Sequence, residues 1–268
     1  MSQPEQNFTN GPALRRVRLR VAYHGAAFRG FVINEGISSV EGLLTDVIST
    51  VARHRVHIDV AGRTDAGVHA WGQVVHVDLA DTADLDRLVF SVNSLLDPDI
   101  VIRKCEWVTQ EFDARHSALW RQYRYTVLNA PVNNPFLAAT SWHIRRPLSV
   151  PLMQLATDSI IGLHDFSSFC RQPQQSGVNR NAEGPSMMRR VHVAQWHDQG
   201  NGILTFDIRA NAFCHQMVRS IVGTLVDVGL GRRKAGEMSG VLRAMSRLNT
   251  PHIAPPQGLC LMEVGYPT

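Results

Sequence analysis

The sequence predicts an α+β protein in which two ferredoxin-like, RRM-like units join into one continuous antiparallel sheet flanked by helices. Three observations predict it. Between residues 16 and 108 the periodicity reads strand, helix, strand, strand, helix, strand, the order of the split βαβ unit. From about residue 121 to 266 the same order recurs more loosely. The length of 268 residues with 44% hydrophobic content suits one large domain or two modest ones sharing a core. The expected division is a disordered tail over 1–14, an amino-terminal unit over 15–110 and a carboxy-terminal unit over 111–268 that carries a long variable loop at 171–188.

The elements follow in chain order. RVRLRVAY, residues 16–23, alternates Val17, Leu19 and Val21 with Arg16, Arg18 and Arg20, the period of a half-buried strand with a basic second face. In SSVEGLLTDVISTVARH, Ser38 and Glu41 have capping-box spacing, and Val40, Leu43, Leu44, Val47, Ile48 and Val51 mark one helical face. VHIDVAG and GQVVHVDLA predict strands around 56–61 and 72–80. Leu85, Leu88, Val89, Val92 and Leu96 predict a helix over 83–96, after which VIRKCEWV returns as a strand.

In the second half RQYRYTVL predicts a strand with Tyr123 and Tyr125 on one face, PLMQLATDSII a helix, and VHVAQWH and GILTFDIRA two further strands. FCHQMVRSIVGTLVDVGLG predicts a long helix that buries Met217, Ile221, Leu225 and Val228 and stops at Gly229 and Gly231. A helix near 234–246 and the strand GLCLMEVGY close the pattern. Residues 171–188 have no periodicity and are rich in Gln, Asn, Gly and Pro. A loop of that length is usually functional or disordered, and in a basic protein it could be a flap that orders on a partner.

Composition narrows the function classes. No apolar run reaches the roughly 20 residues of a membrane span, and MSQPEQNFTNGPALRR has no apolar stretch with a small-residue cleavage site, so a cytoplasmic location is expected. Cys105, Cys170, Cys214 and Cys260 lie far apart without Cys-x-x-Cys spacing, which predicts reduced core residues rather than a zinc knuckle or a disulfide frame. His54 and His57, three residues apart, have no carboxylate at metal-ligand spacing, so no metal site is expected. The net charge is +4 and the pI about 9.1. Lysine occurs only at 104 and 234, leaving 25 of the 27 basic residues as arginine, whose fork suits phosphates. A polyanionic partner fits this bias, and so does a solvated basic surface.

The stretch that invites a chemical reading is AGRTDAGVHA, residues 61–70. Glycines on either side of Arg63, Thr64 and Asp65 permit backbone conformations that a Cβ resists, so this is a shaped loop between two strands. Singly, Asp65 reads as a turn residue, Tyr123 as core and Arg219 as a helix-surface charge. Together with GQVVHV at 72–77, FDARHSALWRQYRY at 112–125, HDFSSF at 164–169 and NAFCHQMVRSIVG at 211–223, the loop resembles the TruA family of tRNA pseudouridine synthases from about residue 17 to 266. The chain departs from the family's YDG and GWQ, reading Tyr23, His24, Gly25 and Gly30, Phe31, Val32.

The resemblance implies the pseudouridine synthase fold and an isomerase, active without cofactor or metal, that detaches uracil from C1′ of a uridine in the anticodon stem-loop (positions 38–40) of tRNA and rejoins it through C5. It implies Asp65 as the catalytic carboxylate, Arg219 as its ion-pair partner, and Tyr123 as the ring stacked on the target base. It implies Arg63 as the side chain inserted where the base was, and a homodimer in which each RNA spans both subunits. Arg16, Arg18 and Arg20 are a further expected RNA contact. The alternatives are a non-catalytic RNA-binding protein or RNA chaperone on the same fold, and a metal-dependent hydrolase using the histidines.

Overall fold

The computed structural model describes residues 13–32, 38–96, 98–171, 186–250 and 252–267. Most of the expected 1–14 tail and positions 172–185 of the expected 171–188 loop lie outside them. The strands are β1 (Leu14–Tyr23), β2 (Asp59–Val60), β3 (His69–Ala80), β4 (Ile100–Trp107), β5 (Trp120–Asn129), β6 (Trp142–Ile144), β7 (Gly162–Asp165), β8 (Met188–Asp198), β9 (Ile203–Ala210) and β10 (Leu259–Gly265). The helices are α1 (Val40–Ala52), α2 (Leu85–Leu96), α3 (Val150–Thr157), α4 (Met217–Gly229) and α5 (Glu237–Arg243).

All ten strands belong to one sheet in the order β4-β1-β3-β10-β5-β9-β8-β7, with β2 paired to β3 and β6 to β5. Within it, β4-β1-β3-β2 and β10-β5-β9-β8 each repeat the strand order of the split βαβ unit. The protein is thus α+β with one large, mostly antiparallel sheet. Two junctions depart from the antiparallel expectation. β10 runs parallel to β3, pairing Cys260 with His69 and Leu261 with Ala70, and β6 runs parallel to β5. The parallel seam arises because the last strand of the chain enters between the two halves, antiparallel to β5 and therefore along β3.

Alternation along β1 does what its period demands: Val17, Leu19 and Val21 are fully buried while Arg20 is exposed. α1 packs beside α2, and α3 beside α4. α4 is covered almost all round, with Met217, Ile221, Leu225 and Val228 buried as their spacing predicts. It ends where Gly231, at φ +72°, donates its N–H to Val228 O.

Other details differ from the sequence reading. The cap of α1 is Ser39, one residue past the predicted Ser38, and its hydroxyl accepts from the Gly42 N–H at 3.2 Å. The strand predicted over 56–61 pairs only at Asp59–Val60, and the last helix is confined to Glu237–Arg243. β6 and β7 are three and four residues long, too short for a period to register. Cys170 and Cys214, expected to be reduced, form a disulfide with Cα atoms 5.6 Å apart. Their separation of 44 residues conceals this, because the fold brings the chain after β7 against the approach to α4.

Candidate active site

The loop from Ala61 to Val68 leaves β2 and enters β3, and it is held largely through its own backbone. The Gln73 side chain, fully buried on β3, donates from Nε2 to Gly62 O at 2.7 Å. The Phe31 N–H donates to Thr64 O, and the Thr64 hydroxyl shares a 2.7 Å hydrogen bond with the Tyr23 hydroxyl. Val68 N–H closes a turn onto Asp65 O, with Gly67 third in that turn at φ +78°, a conformation that favours glycine. Gly62, credited equally from sequence, needs no positive φ and has open space around it. A second glycine does matter. Gly25 lies against the Val68 carbonyl so closely that a Cβ would overlap it, and its N–H donates to His69 Nδ1 at 3.0 Å. With Nδ1 accepting, the His69 proton sits on Nε2, which faces Ala139 O and Gln257 O, both at 3.1 Å. The departures from the family's opening motifs fall behind this loop: His24 packs on His69 with ring centroids 4.5 Å apart, and buried Phe31 packs on Tyr23.

So framed, the loop presents Asp65. Its Oδ2 lies 3.0 Å from Arg219 Nη1 in α4, and its Oδ1 lies 3.3 Å from His215 Nε2. The other side of the Arg219 guanidinium is fixed by Nε donating to Ala254 O at 2.8 Å, so the fork is aimed from both ends. The three residues predicted to act together are brought together: Asp65, Tyr123 and Arg219 all line one cavity of about 820 Å³. Arg63, exposed, lies on the same wall. Tyr123 is 8% exposed, and its ring meets the Phe213 ring edge-on at 5.1 Å. Burial, with the neighbouring Tyr23 and Asp65, pushes its hydroxyl well above the ordinary phenol range, so it stays protonated at neutral pH.

His215 and Phe213 were missed from sequence. Gln216, which caps α4 in the left-handed region at φ +65°, turns the chain just before the helix and leaves His215 facing Asp65. The available signal was only that His215 falls in the same motif as Arg219, four residues ahead of it.

A family model described as tRNA pseudouridine synthase matches residues 156–267. A tRNA pseudouridine synthase A from Gluconobacter oxydans (strain 621H) is 38% identical over 258 residues, covering 95% of this chain and 90% of that one. The chain belongs to the tRNA pseudouridine synthase A family. Synthase A proteins from Gloeobacter violaceus and Streptomyces griseus are also 38% identical, the first over 94% of this chain and 80% of its own, the second over 96% and 89%. The fold described above is accordingly the pseudouridine synthase fold.

Within this synthase A chain the predicted arginine row divides. Arg16 makes two 2.9 Å bonds to Asp78, which hold the carboxylate below its usual range, and Arg18 pairs with Glu106 at 2.6 Å. Both charges are matched inside the sheet, and Arg20 is the row's exposed member. His57, read from sequence as lacking a carboxylate, has Asp59 Oδ1 at 3.8 Å, and His76 has Asp59 Oδ2 at 3.5 Å. Among the described residues no group of three His, Cys, Asp or Glu side chains could hold a metal ion. No helix among them is long and apolar enough to cross a membrane.

Proposed function

We propose that this synthase isomerises uridine to pseudouridine in the anticodon stem-loop of tRNA, at positions 38–40 as the family resemblance implies, with Asp65 as the catalytic carboxylate. The N1–C1′ bond breaks, a C5–C1′ bond forms, and the proton leaving C5 is balanced by one gained at N1. No net oxidant, reductant or water is needed. The observation that carries the reading is one ionisable carboxylate, held between a guanidinium and an imidazole, on the wall of a cavity that a buried tyrosine ring also lines. Arg219 keeps Asp65 aimed and compensates its charge. Asp65 can then act on the sugar or base as nucleophile, or take a sugar proton.

Tyr123 supplies the face on which the target base stacks, worth about 1–3 kcal/mol. Since burial keeps its hydroxyl protonated, it serves as a hydrogen-bonding relay for the C5 proton rather than as a preformed phenolate. A base inside a stem-loop must leave its stack at a cost of a few kcal/mol, and the exposed Arg63 offsets that cost by entering the gap. Arg63 and Arg20 are the RNA contacts this reading favours, because Arg16 and Arg18 already face carboxylates. A cytoplasmic homodimer with each tRNA spanning both subunits completes the proposal.

The test is to map pseudouridine in tRNA from cells lacking the protein, and again after its return. Loss and recovery confined to the anticodon stem-loop is expected. An unchanged stem-loop, or loss elsewhere in tRNA, contradicts the proposed target.

A further inference from the structure

We infer that Arg121 is a positioning residue of this active site, a side chain that fixes the Asp65 loop, the Tyr123 strand and the approach to the Arg219 helix relative to one another. The inference rests on Asp65 being the reacting group. Arg121 stands on β5 two residues before Tyr123 and lines the same cavity. Its Nη2 donates to Ala61 O, where the loop begins, and to Arg115 O, each at 2.8 Å. Its Nη1 donates to Asn211 O at 3.1 Å, on the link from β9 to α4, and to Ala118 O at 3.3 Å. Four carbonyls from three chain segments thus converge on one guanidinium.

Two further facts separate Arg121 from a surface arginine. It is half-buried, and among the described residues it makes no ion pair, whereas Arg16, Arg18, Arg124 and Arg219 each face a carboxylate. A desolvated cation spent wholly on main-chain oxygens does not neutralise anything. It orients peptide groups. Charge-assisted bonds of this kind are roughly twice as strong as neutral ones, and only arginine has donors in a planar fork that can reach several segments at once. Lysine has three donors on a single atom.

The location gives this mechanical meaning. Asp65, on the loop between β2 and β3, comes from the first half of the fold, while Tyr123 on β5 and Arg219 on α4 come from the second. The Asp65–Arg219 pair also joins the halves, but its attraction weakens if the carboxylate spends its charge on a bond to substrate. The Arg121–Ala61 contact does not depend on that charge, so it holds the loop in register while the reaction proceeds. A misplacement of about 1 Å in such a constellation costs on the order of 100-fold in rate.

The experiment uses the full chain with tRNA carrying tritium at uridine C5, following tritium release in single turnover and tRNA binding separately. Tritium release by the parent tests the proposed isomerisation by itself: its absence removes that reading and this inference with it, whereas release by the parent leaves the inference to the Arg121 variants. Given an active parent, Arg121→Lys is expected to slow release by roughly 10- to 100-fold with tRNA affinity within about threefold. Ethylguanidinium is expected to restore part of the rate to Arg121→Ala while leaving Arg121→Lys unaffected. Unchanged release, or rate and affinity falling in equal proportion without rescue, overturns the inference. If Arg121→Ala does not fold, amide exchange in Arg121→Lys decides: faster exchange confined to residues 61–66 and 211–216 supports it, and parental exchange there overturns it.

Discussion

At the scale of single residues, the proposed mechanism separates groups that would touch substrate from groups that would aim them. Tyr123 is the sharpest case, because one side chain is assigned both stacking and proton relay. Tyr123→Phe keeps the ring and its edge-on contact with Phe213 but removes the hydroxyl proposed as the relay. We expect single-turnover release of the C5 proton to slow by about 100-fold, within the usual range for a general acid–base group, while tRNA affinity stays close to parental. A fall in affinity as large as the fall in rate would contradict that division of labour. Asp65, Arg63, Tyr123 and Arg219 stand out in the sequence because their motifs are distinctive, and the fold places all four around one cavity. His215 was not, since its approach to Asp65 depends on the left-handed backbone at Gln216, which no side-chain pattern announces. Arg121 was likewise hidden: its partners are carbonyls, and main-chain oxygens leave no signature in composition.

At the scale of elements, periodicity decided existence and local chemistry decided boundaries. α1 was plain from its apolar face, yet its cap moved from Ser38 to Ser39 because the hydroxyl that reaches the Gly42 N–H is the one whose own residue stays extended, at φ −130° and ψ 155°. This yields a comparison that can be read directly in urea. Ser39→Ala is expected to destabilise by about 1 kcal/mol and Ser38→Ala by less than about 0.5, and the opposite ranking would restore the capping-box reading. β2, β6 and β7 were shortened or missed because strands of two to four residues carry too few alternations to be distinguished from loop. The Cys170–Cys214 bridge escaped notice for a different reason, because pairing is set by tertiary approach rather than by spacing along the chain.

At the scale of the whole molecule, the two halves share one sheet because the last strand inserts between β3 and β5. The repeated strand order was visible in sequence; the parallel seam was not, since direction follows from where β10 enters and not from its composition. Burial on this scale has a pH signature. All four tyrosines, Tyr23, Tyr123, Tyr125 and Tyr266, have hydroxyls pushed up by burial. A phenol that holds its proton longer when folded stabilises the native state below its ordinary value near 10, and that stability is lost as pH rises further, by roughly 1.4 kcal/mol per pH unit for each group. His69 and His76 are shifted down, chiefly by burial, so the native state favours their neutral form. Their contribution is complete above about pH 6.5 and falls as the pH drops below it. Urea midpoints are therefore expected to decline on both flanks, steeply above about pH 10 and more gently below about pH 6.5, and a flat alkaline flank would contradict the tyrosine burial.

The proposed catalysis turns on the Asp65 carboxylate, and Asp65→Asn assayed on tritiated tRNA tests it most directly, because the amide keeps the size of the side chain and removes its charge and basicity. Tritium release is predicted to fall by about 10⁴-fold or more, the scale on which loss of an essential reacting group acts, while the variant still binds tRNA as the parent does. Release at the parental rate from a folded, tRNA-bound Asp65→Asn protein would contradict it.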